Sequence, residues 1–244
     1  MRRRLFLAST VGLAAPFISR GAQAASPDPV DVELILAVDV SRSVDAEEME
    51  LQFRGYANAF RDPRLAESFS GGPIGAVGVT LFTWSDWNIQ EHLVPWTRLG
   101  SLSDCQGFAS VIDAAPRRTH LYTSISGAID FASNLFGQKF EGTRRVVDIS
   151  GDGINNSGRD LALARQAAVE QGIILNGLAV LDRTPPPAGL MSQQPLDEYY
   201  RERVIGGPGA FVMAADGFEA FEPAVRRKII REVAGLSGPV IEYA

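Results

Sequence analysis

Five residues, Asp39-Val40-Ser41-Arg42-Ser43, place one carboxylate and two hydroxyls within a single turn of chain. Small oxygen-bearing side chains crowded in this way are hard donors, of the kind Mg²⁺ accepts in an octahedral shell completed by water. The same residues also suit plain local structure: Ser41 fits a turn, and Ser43 or Asp45 fits the cap of a following helix, with Asp45 and Glu48 at capping-box spacing. Position in the fold separates the two readings. The run just ahead, Val32-Glu33-Leu34-Ile35-Leu36-Ala37-Val38, is short, mostly aliphatic and nearly continuous, the pattern of a strand buried on both faces of a parallel sheet. Loops at the carboxyl ends of such strands are where open α/β sheets bind ligands.

The elements that must position this loop follow from periodicity. Residues 46–60 carry Met49, Phe53, Tyr56, Ala57 and Phe60 at helical spacing, and Asp62-Pro63 ends that helix. Residues 74–84 read as a second strand, and Ser85-Asp86-Trp87-Asn88 as a turn into a third over 89–94, which so short a connection makes antiparallel. Helices are predicted over 102–114 and 123–137, a fourth strand over 146–149, a helix over 159–171 and a fifth strand over 173–181. Residues 182–195 contain Pro185-Pro186-Pro187 and read as an extended surface connection. A short helix over 196–204, a sixth strand over 210–214 and a closing helix over 218–234 complete the series. On the closing helix, Arg226-Arg227-Lys228 and Arg231 read as a solvated face opposite Phe221, Val225, Ile229 and Ile230. Alternating strand and helix predict an α/β fold: one domain over 25–244, with a doubly wound, mostly parallel six-stranded sheet, one antiparallel edge strand and helices on both faces.

The first residues do not belong to that domain. Arg2-Arg3-Arg4 is followed by an apolar stretch and by small residues ending Gly21-Ala22-Gln23-Ala24, the pattern of an export signal over 1–24, and Arg3-Arg4-Leu5-Phe6-Leu7 resembles the twin-arginine type. The apolar core is too short for a spanning anchor and contains Pro16, so the expected location is periplasmic or secreted, with no membrane span in the mature chain. Removing 1–24 takes the basic residues from 23 to 19 against 29 acidic ones, a net charge of −10, which argues against nucleic acid or anionic lipid as partner. The single cysteine, Cys105, cannot form an internal disulfide and reads as a buried small hydrophobe. Two histidines, His92 and His120, are too few for a convincing zinc site, and neither a G-x-S-x-G elbow nor a Walker loop is present. Gly206-Gly207-Pro208-Gly209 precedes a strand rather than opening a helix, so it is a turn and not a phosphate cradle.

Two later stretches bear on the opening loop. Ser150-Gly151-Asp152-Gly153 follows the fourth strand as Asp39 follows the first, and Thr123 stands at the start of the helix that leads into that strand. With these residues the chain resembles a von Willebrand factor A (vWA) domain from about Val32 to Ala234. Asp39, Ser41 and Ser43 match that family's D-x-S-x-S loop, Thr123 its threonine, and Asp152-Gly153 its D-G turn. The resemblance implies strand order 3-2-1-4-5-6 and a complete metal-ion-dependent adhesion site (MIDAS) of Asp39, Ser41, Ser43, Thr123 and Asp152. It implies Mg²⁺ first, with Mn²⁺ or Ca²⁺ as alternatives, and a Glu or Asp carboxylate of a partner protein completing the shell. Asn155-Asn156, Tyr199-Tyr200 and the run from Val204 to Phe211 look like an exported bacterial vWA group of unknown function. Asp148 departs from the wider family, which usually has an aliphatic residue there, and reads as a structural carboxylate.

The expected function is metal-dependent protein binding rather than catalysis. A phosphate-ester hydrolase with Asp39 as nucleophile is the alternative, although proteins of that plan want a second Asp where Ser41 stands. A vWA-like domain with a purely structural ion is a third reading. His120, Ser85, Asp86 and Trp87 fall on the same sheet edge and read as loop residues of its rim.

Overall fold

The apolar run before Asp39 forms β1, Asp28–Asp39, with eight consecutive buried residues from Val32 to its end at Asp39. Leu34, Leu36 and Val38 pack into one hydrophobic core and Ile35 and Ala37 into the other, so both faces of the strand are covered and no polar alternation is needed. The computed structural model describes residues 27–181, 194–236 and 238–244. The expected export signal, Pro185-Pro186-Pro187 and most of the predicted connection lie outside the described residues.

Around β1 lie β2 (Val77–Trp84), β3 (Gln90–Leu99), β4 (Phe140–Gly151), β5 (Ile173–Leu181), β6 (Val212–Asp216) and β7 (Ile241–Tyr243), in the order β3-β2-β1-β4-β5-β6-β7. All pairings are parallel except β2 with β3, as the short 85–88 turn requires. The sheet therefore has seven strands, not the expected six. β7 adds three residues alongside β6, pairing Val212 with Ile241 and Ala214 with Tyr243. Three residues hold too little pattern for a period-2 reading.

Helices α1 (Ala46–Arg61), α2 (Pro63–Ser70), α3 (Leu102–Ala114) and α7 (Phe221–Ala234) cover one face. The other is covered by α4 (Ile125–Ser133), α5 (Leu161–Glu170) and α6 (Leu196–Tyr199), the last continuing as a π-helical turn, Tyr200–Val204. Asp62 ends α1 but immediately caps α2, its carboxylate accepting from Arg64 N at 2.9 Å with Pro63 in the first turn, so one residue both stops and restarts the chain. Cys105 is buried and free, and burial pushes its thiol up to about 12. No helix among the described residues is long and apolar enough to cross a membrane.

The expected solvated face of the closing helix is corrected. Arg226 and Arg227 do reach acids at the surface, but Lys228 is wholly buried and Arg231 nearly so. Lys228 lies in the inward stripe of Phe221, Ala224, Val225, Ile229 and Glu232, where spacing rather than charge decides which way a side chain points. Its Nζ is 2.7 Å from Asp148 Oδ1 and 2.5 Å from Glu232 Oε1, and Asn176 Nδ2 donates to the same Glu232 oxygen at 2.9 Å. Asp148 is thus one leg of a buried charge cluster joining α7 to the central strand β4. Burial raises both carboxyls, Glu232 to about 7, while the Lys228 charge opposes the rise. Arg231 lies over the Phe211 ring at 3.8 Å and pairs with Glu242 at 2.9 Å, next to the unforeseen β7.

Candidate metal centre

At the end of β1 the Asp39 carboxyl folds back on its own chain, Oδ1 accepting from Ser41 N at 2.7 Å. Val40 N donates to Trp84 O at 3.0 Å and Val40 O accepts from His120 N at 3.0 Å, which fixes the pentapeptide between the end of β2 and the approach to Thr123. The helix cap falls to Asp45, which accepts from Glu47 N and Glu48 N while Glu48 returns a bond to Asp45 N. Ser41 and Ser43 are thereby released from capping. They face each other, Oγ to Oγ at 3.1 Å, and Ser43 Oγ donates to Asp152 Oδ1 at 2.6 Å.

Gly153 closes the group. The point a Cβ would occupy on it is 3.6 Å from Thr123 Oγ1 and 4.0 Å from Ser43 Oγ. Residues from β1, from the N-terminal approach to α4 and from the end of β4 thus converge on one spot at the carboxyl edge of the sheet, where a doubly wound fold binds ligands. The structure brings all five expected residues together.

Asn155 and Asn156, noted in the sequence without a role, tie the Thr123 and Asp152 loops together. Asn156 Oδ1 accepts from Thr123 N at 2.9 Å and Asn156 N returns a bond to Thr123 O at 2.8 Å; Asn155 Oδ1 accepts from Ser126 N at 3.0 Å. Ser85 Oγ donates to Tyr122 O at 2.6 Å, and Asp86 accepts from Ser157 Oγ. Ser85 and Asp86 therefore hold the rim rather than face a ligand. Trp87 is exposed, and His120 contributes through its backbone. His92 lies on β3 opposite Phe82, its ring bonded to Thr80 on β2.

The electrostatics are unbalanced. Asp39 is completely buried, its Oδ2 has no hydrogen-bond partner among the described residues, and burial followed by the Asp152 charge pushes its carboxyl up to about 8. A buried carboxylate is tolerated when a counter-charge accompanies it. Among the described residues no side-chain cation pairs with Asp39; the nearest in sequence, Arg42, is exposed. Two carboxylates and three hydroxyls on one spot form an all-oxygen donor set that fits a hard divalent cation supplying that charge. Three of the five donors being neutral, the group contains no cluster of three or more His, Cys, Asp or Glu, and none occurs elsewhere among the described residues.

Comparison with known proteins agrees with this architecture. Proximal thread matrix protein 1 from the mussel byssus superposes with a TM-score of 0.61 at 12% identity, over 86% of this chain and 50% of that one. A second structure of the mussel protein, described as having a zinc-occupied MIDAS motif, gives 0.60 at 12% identity over the same shares. A von Willebrand factor type A protein from Catenulispora acidiphila gives 0.58 at 12% identity, over 84% and 43%. The pilus adhesin SpaC from Lactobacillus rhamnosus GG gives 0.54 at 15% identity, over 86% and 31%. The present chain therefore spans half or less of these solved chains, and identities this low speak to the fold alone. No curated protein gave a significant match. A family model described as "Protein of unknown function (DUF1194)" matches residues 29–237. The chain belongs to that family, and its fold is that of a vWA domain.

Proposed function

We propose that the protein is an exported, metal-dependent binding domain of the adhesion type. Asp39, Ser41, Ser43, Thr123 and Asp152 hold a divalent cation, Mg²⁺ first, and through it the domain captures a Glu or Asp carboxylate of a partner protein. The observation that carries this reading is the buried, partnerless Asp39 Oδ2 beside three hydroxyl donors and Asp152. Five such oxygen donors leave one position of an octahedral shell open, the place a partner's carboxylate oxygen would take.

The rim supports a protein as the ligand's source. Trp87, Leu121, Tyr122 and Ile154 are large apolar residues exposed on the loops around the site, and a cleft of about 340 Å³ opens between Arg42, Ile89, His120 and Tyr122. Exposed apolar surface of this kind marks association surfaces. Arg42 adds a positive charge with no ion-pair partner among the described residues, which complements an acidic ligand. The pilus adhesin and the byssus protein with its zinc-occupied motif point the same way. Zinc also outranks magnesium at nitrogen and oxygen donors, so the ion carried by the domain follows metal availability as much as intrinsic preference. We read the site as binding rather than catalytic because Asp39, the one candidate nucleophile, is wholly buried and its Oδ1 is committed to Ser41 N.

The test is a glutamate-containing capped peptide and its glutamine counterpart, applied to the immobilised protein in Mg²⁺ and in EDTA. Retention of the glutamate peptide alone, and in Mg²⁺ alone, is expected. Equal retention of both peptides removes carboxylate capture, and Mg²⁺ binding without retention of either leaves a structural ion. Export is proposed from residues 1–24, outside the described residues. Replacing Arg3 and Arg4 by Lys is expected to stop translocation of a tagged chain, and unchanged export would remove the twin-arginine assignment.

A further inference from the structure

Tyr200 is the first residue of the π-helical turn, and its ring is completely buried. Two glycines on neighbouring strands make room for it. A Cβ on Gly177 of β5 would lie 2.6 Å from Tyr200 Cδ1, and a Cβ on Gly151, the last residue of β4, would lie 2.8 Å from Tyr200 Oη. The same point on Gly151 is 2.8 Å from Asp39 Oδ2, which bounds the separation of the two oxygens at twice that distance. The ring therefore crosses one face of the sheet through a slot vacated by two side chains and delivers a hydroxyl beside the orphan oxygen of Asp39.

Among the described residues neither atom has a hydrogen-bond partner. Leaving a buried hydroxyl unsatisfied is destabilising, a loss that a Phe in the same slot would avoid. The geometry explains why a phenol stands there instead. Asp39 has one oxygen bound to Ser41 N and the other unclaimed, and a phenol is a donor that remains neutral while facing a carboxylate. The neighbouring Tyr199 serves the second acidic loop, its Oη accepting from Asn155 N at 3.1 Å. π-turns recur at functional sites, and here one places consecutive tyrosines against the two loops that bear Asp39 and Asp152.

We propose that Tyr200 is a positioning residue of the metal centre, whose hydroxyl donates to Asp39 Oδ2 when a divalent cation is bound and holds that carboxylate oriented toward the ion. The proposal rests on the metal-centre reading above. It also gives a purpose to Gly151 and Gly177, which no requirement for positive φ explains.

The experiment is a calorimetric Mg²⁺ titration of the metal-stripped whole chain, comparing the parent with Tyr200→Phe and Tyr199→Phe, alongside thermal melts and tyrosine ultraviolet difference spectra. Tyr200→Phe is expected to weaken Mg²⁺ binding about 10- to 100-fold, as loss of an outer-shell partner does, while the metal-free melting temperature stays level or rises. The Mg²⁺-induced tyrosine difference signal is expected to persist in Tyr199→Phe and vanish in Tyr200→Phe. Mg²⁺ affinity of Tyr200→Phe within twofold of the parent overturns the proposal. The parent spectrum reads the contact without any substitution, so saturable Mg²⁺ binding that leaves the parent's tyrosine absorbance unchanged overturns it as well. A parent that binds no Mg²⁺ overturns the metal centre itself, an outcome recognised before any variant is made.

Discussion

Lys228→Met is expected to lower the free energy of unfolding by about 3–5 kcal/mol, measured by urea denaturation near neutral pH. Methionine keeps the length and apolar stem of lysine, so packing against Phe211 and the sheet is nearly conserved, and what disappears is the charge between Asp148 and Glu232. Two carboxyls then share a buried site with no cation. Both are already raised by burial with Lys228 present, so in the variant they take up protons more readily still. A carboxyl whose folded value lies above its unfolded value contributes stability that is complete below the unfolded value and is lost as pH rises through the folded one. For Glu232 in the parent that window runs from its ordinary 4.5 to about 7. Acidification from pH 7.5 to 5 is therefore expected to return part of the stability lost in Lys228→Met. Adding Asp148→Leu and Glu232→Met is expected to recover most of the rest, because removing all the members of a buried charge group is far less damaging than removing one. A Lys228→Met protein as stable as the parent at pH 7.5 would show that the cluster is solvated.

Asp39→Asn is expected to separate stability from binding. The substitution preserves shape and still presents an oxygen to Ser41 N, yet removes a carboxyl that burial and the Asp152 charge raise to about 8, one that must take up a proton for the metal-free protein to fold near neutral pH. In the metal-free protein near neutral pH the variant is expected to be more stable than the parent by a few kcal/mol, on the order of 1.4 kcal/mol for each unit by which a raised carboxyl pKa opposes folding, because an amide has no proton to take up. Addition of Mg²⁺ reverses the order. At a hundredfold excess over the dissociation constant, a cation that binds only the folded parent adds about 2.7 kcal/mol, and the variant is expected to gain almost nothing. Thermal melts of both proteins with and without Mg²⁺ check this crossing. A parent already more stable than Asp39→Asn without metal would mean that Oδ2 has a satisfying partner, and the case for an ion there would weaken. Functional sites commonly carry such local instability.

Much of this architecture is legible in the sequence because each strand buried on both faces announces itself as an aliphatic run, and each helix on the sheet shows an apolar stripe. The Leu102–Ala114 helix and the Ile173–Leu181 strand fall where periodicity puts them. β4 starts at Phe140 rather than 146 because its first half, Glu141 to Arg145, pairs with β1 but lies near the surface, where polar residues mask the strand. α2 is hidden by Asp62-Pro63, a pair that signals both an end and a beginning. The five candidate ligands are legible because the D-x-S-x-S loop, the threonine and the D-G turn each retain their order and local context. Lys228 and Tyr200 are not, for a common reason: each is a polar side chain on an inward position, and only the partner across the fold reveals why it is there. Asp148 is the exception that could have given the cluster away. A carboxylate in the middle of an apolar strand requires a cation, and the inward stripe of the last helix offers Lys228.

The direction of β1 sets how the site meets its surroundings. The strand enters at Asp28 and reaches the candidate ligands at Asp39, 11 residues later, a span of roughly 36 Å at 3.3 Å per residue. Whatever precedes residue 28 therefore joins the domain at the end of the sheet opposite the Asp39 loop. A protein held by its N-terminal side, on a bead or at a bilayer, turns the candidate metal-site loops outward, clear of the support and open to solution.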